Sequence, residues 1–149
     1  MAIAIAGYLG HLLAFINAPL IIVALVLALI LPLIWKDNAR HLIGVAALGV
    51  ASLFEGFRQV SRAALVHGWQ VGHLDKQASL EFGYVEAWKV GMPIPLLVTA
   101  ACLYLSWHLR SSRLAWFISP ALLLVLGFYY SQLIADYWTE INAVPIRQS

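Results

Sequence analysis

Three ionisable residues, Glu55, Arg58 and Arg62, interrupt a mostly apolar stretch of the chain. Spacings of three and four residues place their side chains on one face of a helix. A carboxylate beside two guanidinium groups can form a structural ion pair, hold an anionic or carbonyl-bearing ligand, or exchange a proton. We therefore take this face as the first candidate for a functional site.

The element that positions these residues must itself cross a membrane. Only thirteen residues, 42–54, precede Glu55 as clean membrane sequence, whereas a spanning helix needs about 20. The charged half of the helix must then also lie in the bilayer. Charges at that depth cost about 2.5–3.5 kcal/mol each on insertion scales. They are expected to face the helix bundle or a partner rather than lipid.

Matching of depth along the predicted helices suggests which polar side chains meet there. We expect a pocket in the outer half of the membrane built from Asn17, Glu55, Arg58, Arg62, Gln132 and Asp136. In this pocket Glu55 pairs with Arg58, and Asp136 neutralises Arg62. Three interpretations stay open: a structural ion-pair network, a contact patch for another membrane subunit, and a site for a ligand such as a lipid head group or a quinone.

The histidines form two further groups of candidate ligands, one for a metal ion and one for haem. His11, His67 and His73 are expected near the outer interface, where imidazole and carboxylate groups can bind zinc or copper. Their spacing is not that of a standard metal site, so no metal site is predicted. His41 and His108 are expected at matched depth near the other ends of their helices, as a bis-histidine haem requires, but ordinary interfacial positions explain them equally. No haem is predicted.

The composition defines the class of protein. Of 149 residues, 62% are hydrophobic and 11% are charged, and the mean hydropathy is +0.85. Soluble domains are about 25% charged. These values exclude a soluble enzyme, a disordered chain and a nucleic-acid binder. The single cysteine excludes a disulfide framework, and no nucleophile elbow, phosphate loop or zinc-protease motif is present. The chain is predicted to be an all-α integral membrane protein.

Its organisation is predicted to be one domain, 1–149, forming an up-down bundle of four transmembrane helices. Pro19 and Pro32 fall near the ends of the first span, where a helix tolerates proline. Residues 67–89 are predicted to be a polar connection that forms either an interfacial helix or the tilted start of the third span. The approximate spans are 12–35, 42–66, 90–109 and 114–138.

The two short turns, 36–40 and 110–113, indicate the orientation. They contain four basic residues, Lys36, Arg40, Arg110 and Arg113, against one acidic residue, Asp37. The positive-inside rule makes these turns cytoplasmic, so both termini lie on the non-cytoplasmic side. We expect the inner membrane of a bacterium.

The sequence favours a small multi-pass subunit of a larger membrane complex, with respiratory or photosynthetic electron transfer as the expected host. Its partners are then other membrane subunits and lipids, not nucleic acid, and it is not expected to be an enzyme on its own. One alternative is a small membrane enzyme or a quinone- or lipid-binding protein that uses Arg58, Arg62 and Glu55. Another is an oligomeric transporter in which Glu55 titrates. Haem, quinone and lipid are the cofactors considered, and the sequence selects none of them.

Overall fold

The computed structural model describes residues 2–72 and 74–143, with residues 2–4 described by backbone alone. The described residues contain six α-helices and no strand, so the all-α prediction is confirmed. The helices are α1 (Ala2–Ile16), α2 (Pro19–Ile34), α3 (Arg40–Gln70), α4 (Lys76–Gly91), α5 (Pro93–His108) and α6 (Ala115–Ala143).

Several of these helices are long and apolar enough to cross a bilayer. Three candidate spans pass without joining a bent pair: α3, α6, and the stretch Lys76–His108, which consists of α4 followed by α5. A fourth span results if the bent pair Ile5–Ile16 and Pro19–Ile34 is one broken span. The prediction of an integral membrane protein is therefore confirmed, with three to four candidate spans.

The prediction of one continuous helix over residues 12–35 is wrong. The chain bends by 67° between α1 and α2, and Ala18 is extended, with φ −60° and ψ 127°. A residue that precedes proline avoids the helical region, and the missing N–H of Pro19 suits the first position of a new helix. Pro19 therefore begins α2 rather than bending the end of one longer helix.

The polar connection expected over residues 67–89 is also mostly helical. The third helix continues to Gln70 and α4 begins at Lys76, where the Asp75 carboxylate caps the helix by accepting the N–H of Ala78 at 2.7 Å. Since α4 belongs to the candidate span Lys76–His108, the structure favours an early start of the third span over a separate interfacial helix. A stripe of small residues faces inward along α4: Ser79, Gly83, Ala87 and Gly91.

Two contacts show how α3 and α6 run relative to each other. Near their first residues, the rings of His41 and Trp116 meet edge to face with centroids 5.3 Å apart. Near their last residues, His67 Nε2 lies 2.6 Å from Glu140 Oε2. The two helices therefore run side by side in the same direction. It follows that the turns 36–40 and 110–113, which precede them, lie at the same end of the molecule.

Candidate functional site: a polar cavity at the helix break

A cavity of about 540 Å³ opens at the break between α1 and α2, beside α3 and the last part of α6. Its volume lies within the range of about 300–1,000 Å³ that is typical of small-molecule sites. Apolar side chains form part of its wall, including Ile134 and Trp138 from α6. The polar lining residues are His11, Asn17, Glu55, Arg58, Gln59 and Arg62.

Glu55 is the buried anchor of this cavity. It lies at the midpoint of α3, and only 5% of its surface is exposed. Arg58 donates to both of its oxygens, from Nε at 3.0 Å and from Nη2 at 2.5 Å. Gln59 Nε2 adds a third hydrogen bond at 2.7 Å. A bidentate, charge-assisted pair of this kind is what a buried carboxylate needs to offset its desolvation.

Arg62 differs from Arg58 because no carboxylate of the described residues pairs with it. The predicted ion pair between Arg62 and Asp136 does not form in the described part of the chain. Asp136 lies exposed on α6 and accepts a hydrogen bond from Tyr8 Oη at 3.4 Å. The Arg62 side chain therefore brings an unbalanced positive charge to the cavity wall.

The structure places Gln132 and Asp136 outside the cavity. Successive residues of a helix are about 100° apart, so positions 132 and 136 share one face, while 134 and 138 lie about 200° round from them. Depth matching therefore found the correct level of α6 but not its rotation about its own axis. It placed Asn17, Glu55, Arg58 and Arg62 in one pocket, and the structure brings these four together.

Two lining residues were missed as partners for the charged residues. Gln59 lies one turn after Glu55, and this spacing alone could have identified it as a hydrogen-bond donor. His11 was considered only as a metal ligand, yet it lines the cavity from α1. The bend between α1 and α2 changes the direction of α1, which contains His11. The prediction of one continuous first span did not include this bend, so it did not place His11 in the cavity.

The other histidines have separate surroundings. His67 pairs with Glu140, whereas His73 lies outside the described residues. Across the described ranges, no three His, Cys, Asp or Glu side chains come close enough together to hold a metal ion. His41 is buried against Trp116, and His108 is exposed and stacks on Tyr104 with ring centroids 4.7 Å apart.

The cavity is electropositive. One carboxylate against the guanidinium groups of Arg58 and Arg62 leaves a formal charge of +1, with His11 counted as neutral. Ala18 and Pro19 also line it, so the N-terminus of α2, with its partial positive charge, lies at the wall. The arrangement can hold an anion or a strongly polarised carbonyl. Comparisons with protein-family models, with curated proteins and with solved structures gave no match to the chain.

Proposed function

We propose that this chain is a membrane protein that binds the anionic or carbonyl-bearing head group of a membrane amphiphile in the polar cavity. The observation that supports this most directly is Arg62, which has no carboxylate partner among the described residues. Arg62 belongs to α3, which is a candidate membrane span, and an arginine within a membrane requires a counter-charge or a polar partner. Guanidinium groups also match the geometry of phosphate and carboxylate oxygens.

The side chains of the cavity have distinct roles in this proposal. Arg62 makes the main contact with the head group. Glu55 positions Arg58, because its two oxygens already accept three hydrogen bonds. That engagement favours a positioning role for Glu55 over a titrating role in transport. The Asn17 amide, in the break between α1 and α2, also lines the cavity and is available for a further hydrogen bond.

The test uses the purified protein in mild detergent with dihexanoyl phosphatidylglycerol as the probe. A charged hydrogen bond contributes about 1.5–3 kcal/mol, so Arg62→Gln should weaken binding by roughly ten- to a hundredfold. Arg113→Gln is the matched control, because it removes an exposed arginine at the opposite end of the bundle. Equal affinity of the Arg62→Gln protein and the unmodified chain would reject the proposal, provided that both have the same helical content.

We propose further that the chain forms a four-span up-down bundle in the bacterial inner membrane. Both termini would lie on the non-cytoplasmic side, and the turns 36–40 and 110–113 in the cytoplasm. The basic character of these two turns and their position at one end of the molecule support this orientation. In a Cys102→Ala background, a membrane-impermeant maleimide added to intact cells should label Gln77→Cys and leave Ser111→Cys unlabelled. The reverse pattern would contradict the orientation.

A second candidate function is that of a subunit in a larger membrane complex, with an electron-transfer host as the expected case. The observation that favours it is the poor burial of α5, in which only Pro95, Thr99 and Ser106 are buried. The Ser106 hydroxyl is buried without a hydrogen-bond partner in the described part of the chain. Native mass spectrometry after extraction in mild detergent tests this candidate, and a stable lone monomer would count against it.

A further inference from the structure

An apolar groove of about 670 Å³ lies between α2 and α3, next to the polar cavity. All of its lining side chains are apolar, and many of them are exposed at the surface of the bundle. They include Leu20, Val23, Leu27, Ala47, Val50 and Phe54. The groove is therefore open to the hydrocarbon of the membrane along its length.

The groove and the cavity adjoin on both helices. On α2, Pro19 lines the cavity and the next residue, Leu20, lines the groove. On α3, Ala51 lines the groove and Glu55 lines the cavity, one turn apart on the same face. Together they place a charged pocket and an apolar groove next to each other.

The length of the groove matches one hydrocarbon chain. Along α3 it extends from Ile43 to Phe54, a rise of about 16 Å at 1.5 Å per residue. An extended acyl chain of a membrane lipid spans about half of the hydrocarbon core, or about 15 Å. A single acyl chain therefore fits the length of the groove when its head group lies in the cavity.

Resting on the proposed function, we infer that the ligand of this site is an anionic phospholipid. Its phosphate contacts Arg62 and Arg58, and one acyl chain lies in the groove between α2 and α3. The formal charge of +1 in the cavity favours this ligand over a quinone, since a neutral carbonyl ring leaves Arg62 unbalanced. The position of the groove beside the charged cavity likewise favours an amphiphile over a wholly apolar partner helix.

The test measures binding of three lipids to the detergent-purified protein. Dioleoyl phosphatidylglycerol has the charge and the long chains, dihexanoyl phosphatidylglycerol has the charge with short chains, and dioleoyl phosphatidylcholine has the long chains without net charge. Ala47→Trp fills the groove, and Val50→Trp is a second variant at a position that is 67% exposed. Ala121→Trp, on the exposed face of α6, is the matched control.

We expect the unmodified protein to bind dioleoyl phosphatidylglycerol at least about tenfold more tightly than dioleoyl phosphatidylcholine. Ala47→Trp and Val50→Trp should each weaken binding of dioleoyl phosphatidylglycerol at least about tenfold, because buried methylene groups lose their contacts. For Ala47→Trp, which lies about 12 Å from Glu55 along α3 at 1.5 Å per residue, the affinity for the short-chain lipid should stay within about twofold of its original value. Ala121→Trp should change neither affinity.

Each other outcome has a defined meaning. If both groove variants bind dioleoyl phosphatidylglycerol normally while Arg62→Gln still weakens it, the acyl-chain site is refuted and the head-group site stands. If the groove variants instead change the native mass of the protein, a protein helix occupies the groove and the inference is overturned. Equal binding of the anionic and zwitterionic lipids overturns the choice of an anionic ligand. If binding of no probe depends on Arg62, the proposed function itself fails.

Discussion

The hydroxyl of Tyr130 donates a hydrogen bond of 2.7 Å to the backbone carbonyl of Gly91, at the junction of α4 and α5. In an α-helix this carbonyl would accept the N–H of the residue four positions later, but position 95 is a proline and has no N–H. Tyr129 donates in the same way to the carbonyl of Val90. Two adjacent tyrosines of α6 therefore satisfy backbone acceptors at the break in the third span.

Removal of the Tyr130 hydroxyl should destabilise the bundle. Tyr130→Phe leaves a buried carbonyl without this donor, and an unsatisfied buried acceptor costs about 1–3 kcal/mol. Equilibrium unfolding in mixed micelles with increasing SDS measures the loss. Tyr104→Phe is the control, because Tyr104 is exposed and its hydroxyl makes no hydrogen bond within the described residues. Equal stability of the two variants would contradict the role of Tyr130.

Gly56 allows the ring of Tyr130 to pack directly on α3. A Cβ atom at position 56 would lie 2.1 Å from Cζ of that ring, so Gly56→Ala must displace a fully buried aromatic side chain. Overpacking of this kind costs about 1–3 kcal/mol, seen as a lower melting temperature in mild detergent. Gly10→Ala is the matched control, since nothing lies within 4 Å of a Cβ there. Similar melting temperatures for the two variants would contradict the close packing of the Tyr130 ring on Gly56.

Replacement of Glu55 should affect stability and binding in opposite directions. Glu55→Gln removes the charge that holds Arg58, and we expect a loss of about 1.5–3 kcal/mol in unfolding free energy. The loss is smaller than for a fully buried pair because the Arg58 side chain is 55% exposed. The freed Arg58 should bind dihexanoyl phosphatidylglycerol more tightly. Weaker probe binding by Glu55→Gln would show that the positioning of Arg58 by the carboxylate outweighs the gain in net positive charge.

The double variant Glu55→Gln with Arg58→Gln distinguishes charge from packing. It removes both members of the ion pair, so neither Glu55 nor Arg58 is left as an uncompensated charge. Its stability should recover most of the loss seen with Glu55→Gln alone, because coupled residues are not additive. Losses that simply add would show that the two side chains do not stabilise each other.

The contact between His67 and Glu140 should contribute little to stability. The Glu140 side chain is 62% exposed, and exposed ion pairs contribute about 0–1 kcal/mol. Glu140→Gln should therefore shift unfolding in SDS by no more than this amount, and less at high salt. A loss as large as that of Glu55→Gln would mean that this end of the bundle is shielded from water.

The membrane helices show what local pattern can and cannot predict. Helical spacing alone indicated that Glu55, Arg58 and Arg62 share a face. The structure places all three on one continuous helix, α3. The small residues buried along α4 also follow a helical spacing, because each one comes four residues after the last. Such stripes permit close approach of helices. Gly83 shows why: a Cβ there would lie 2.7 Å from the carbonyl oxygen of Ser61 on α3.

The amino-acid sequence by itself determined the membrane class, the helical content and the charged face of α3, because these follow from composition and from a period of 3.6 residues. Tertiary structure decided which groups that face meets. Rotation of α6 turned Asp136 away from Arg62 and brought Trp138 to the cavity, and the bend at Pro19 opened the cavity itself. Such rotations and bends depend on packing between helices distant in the chain, and periodicity within one helix contains no information about them.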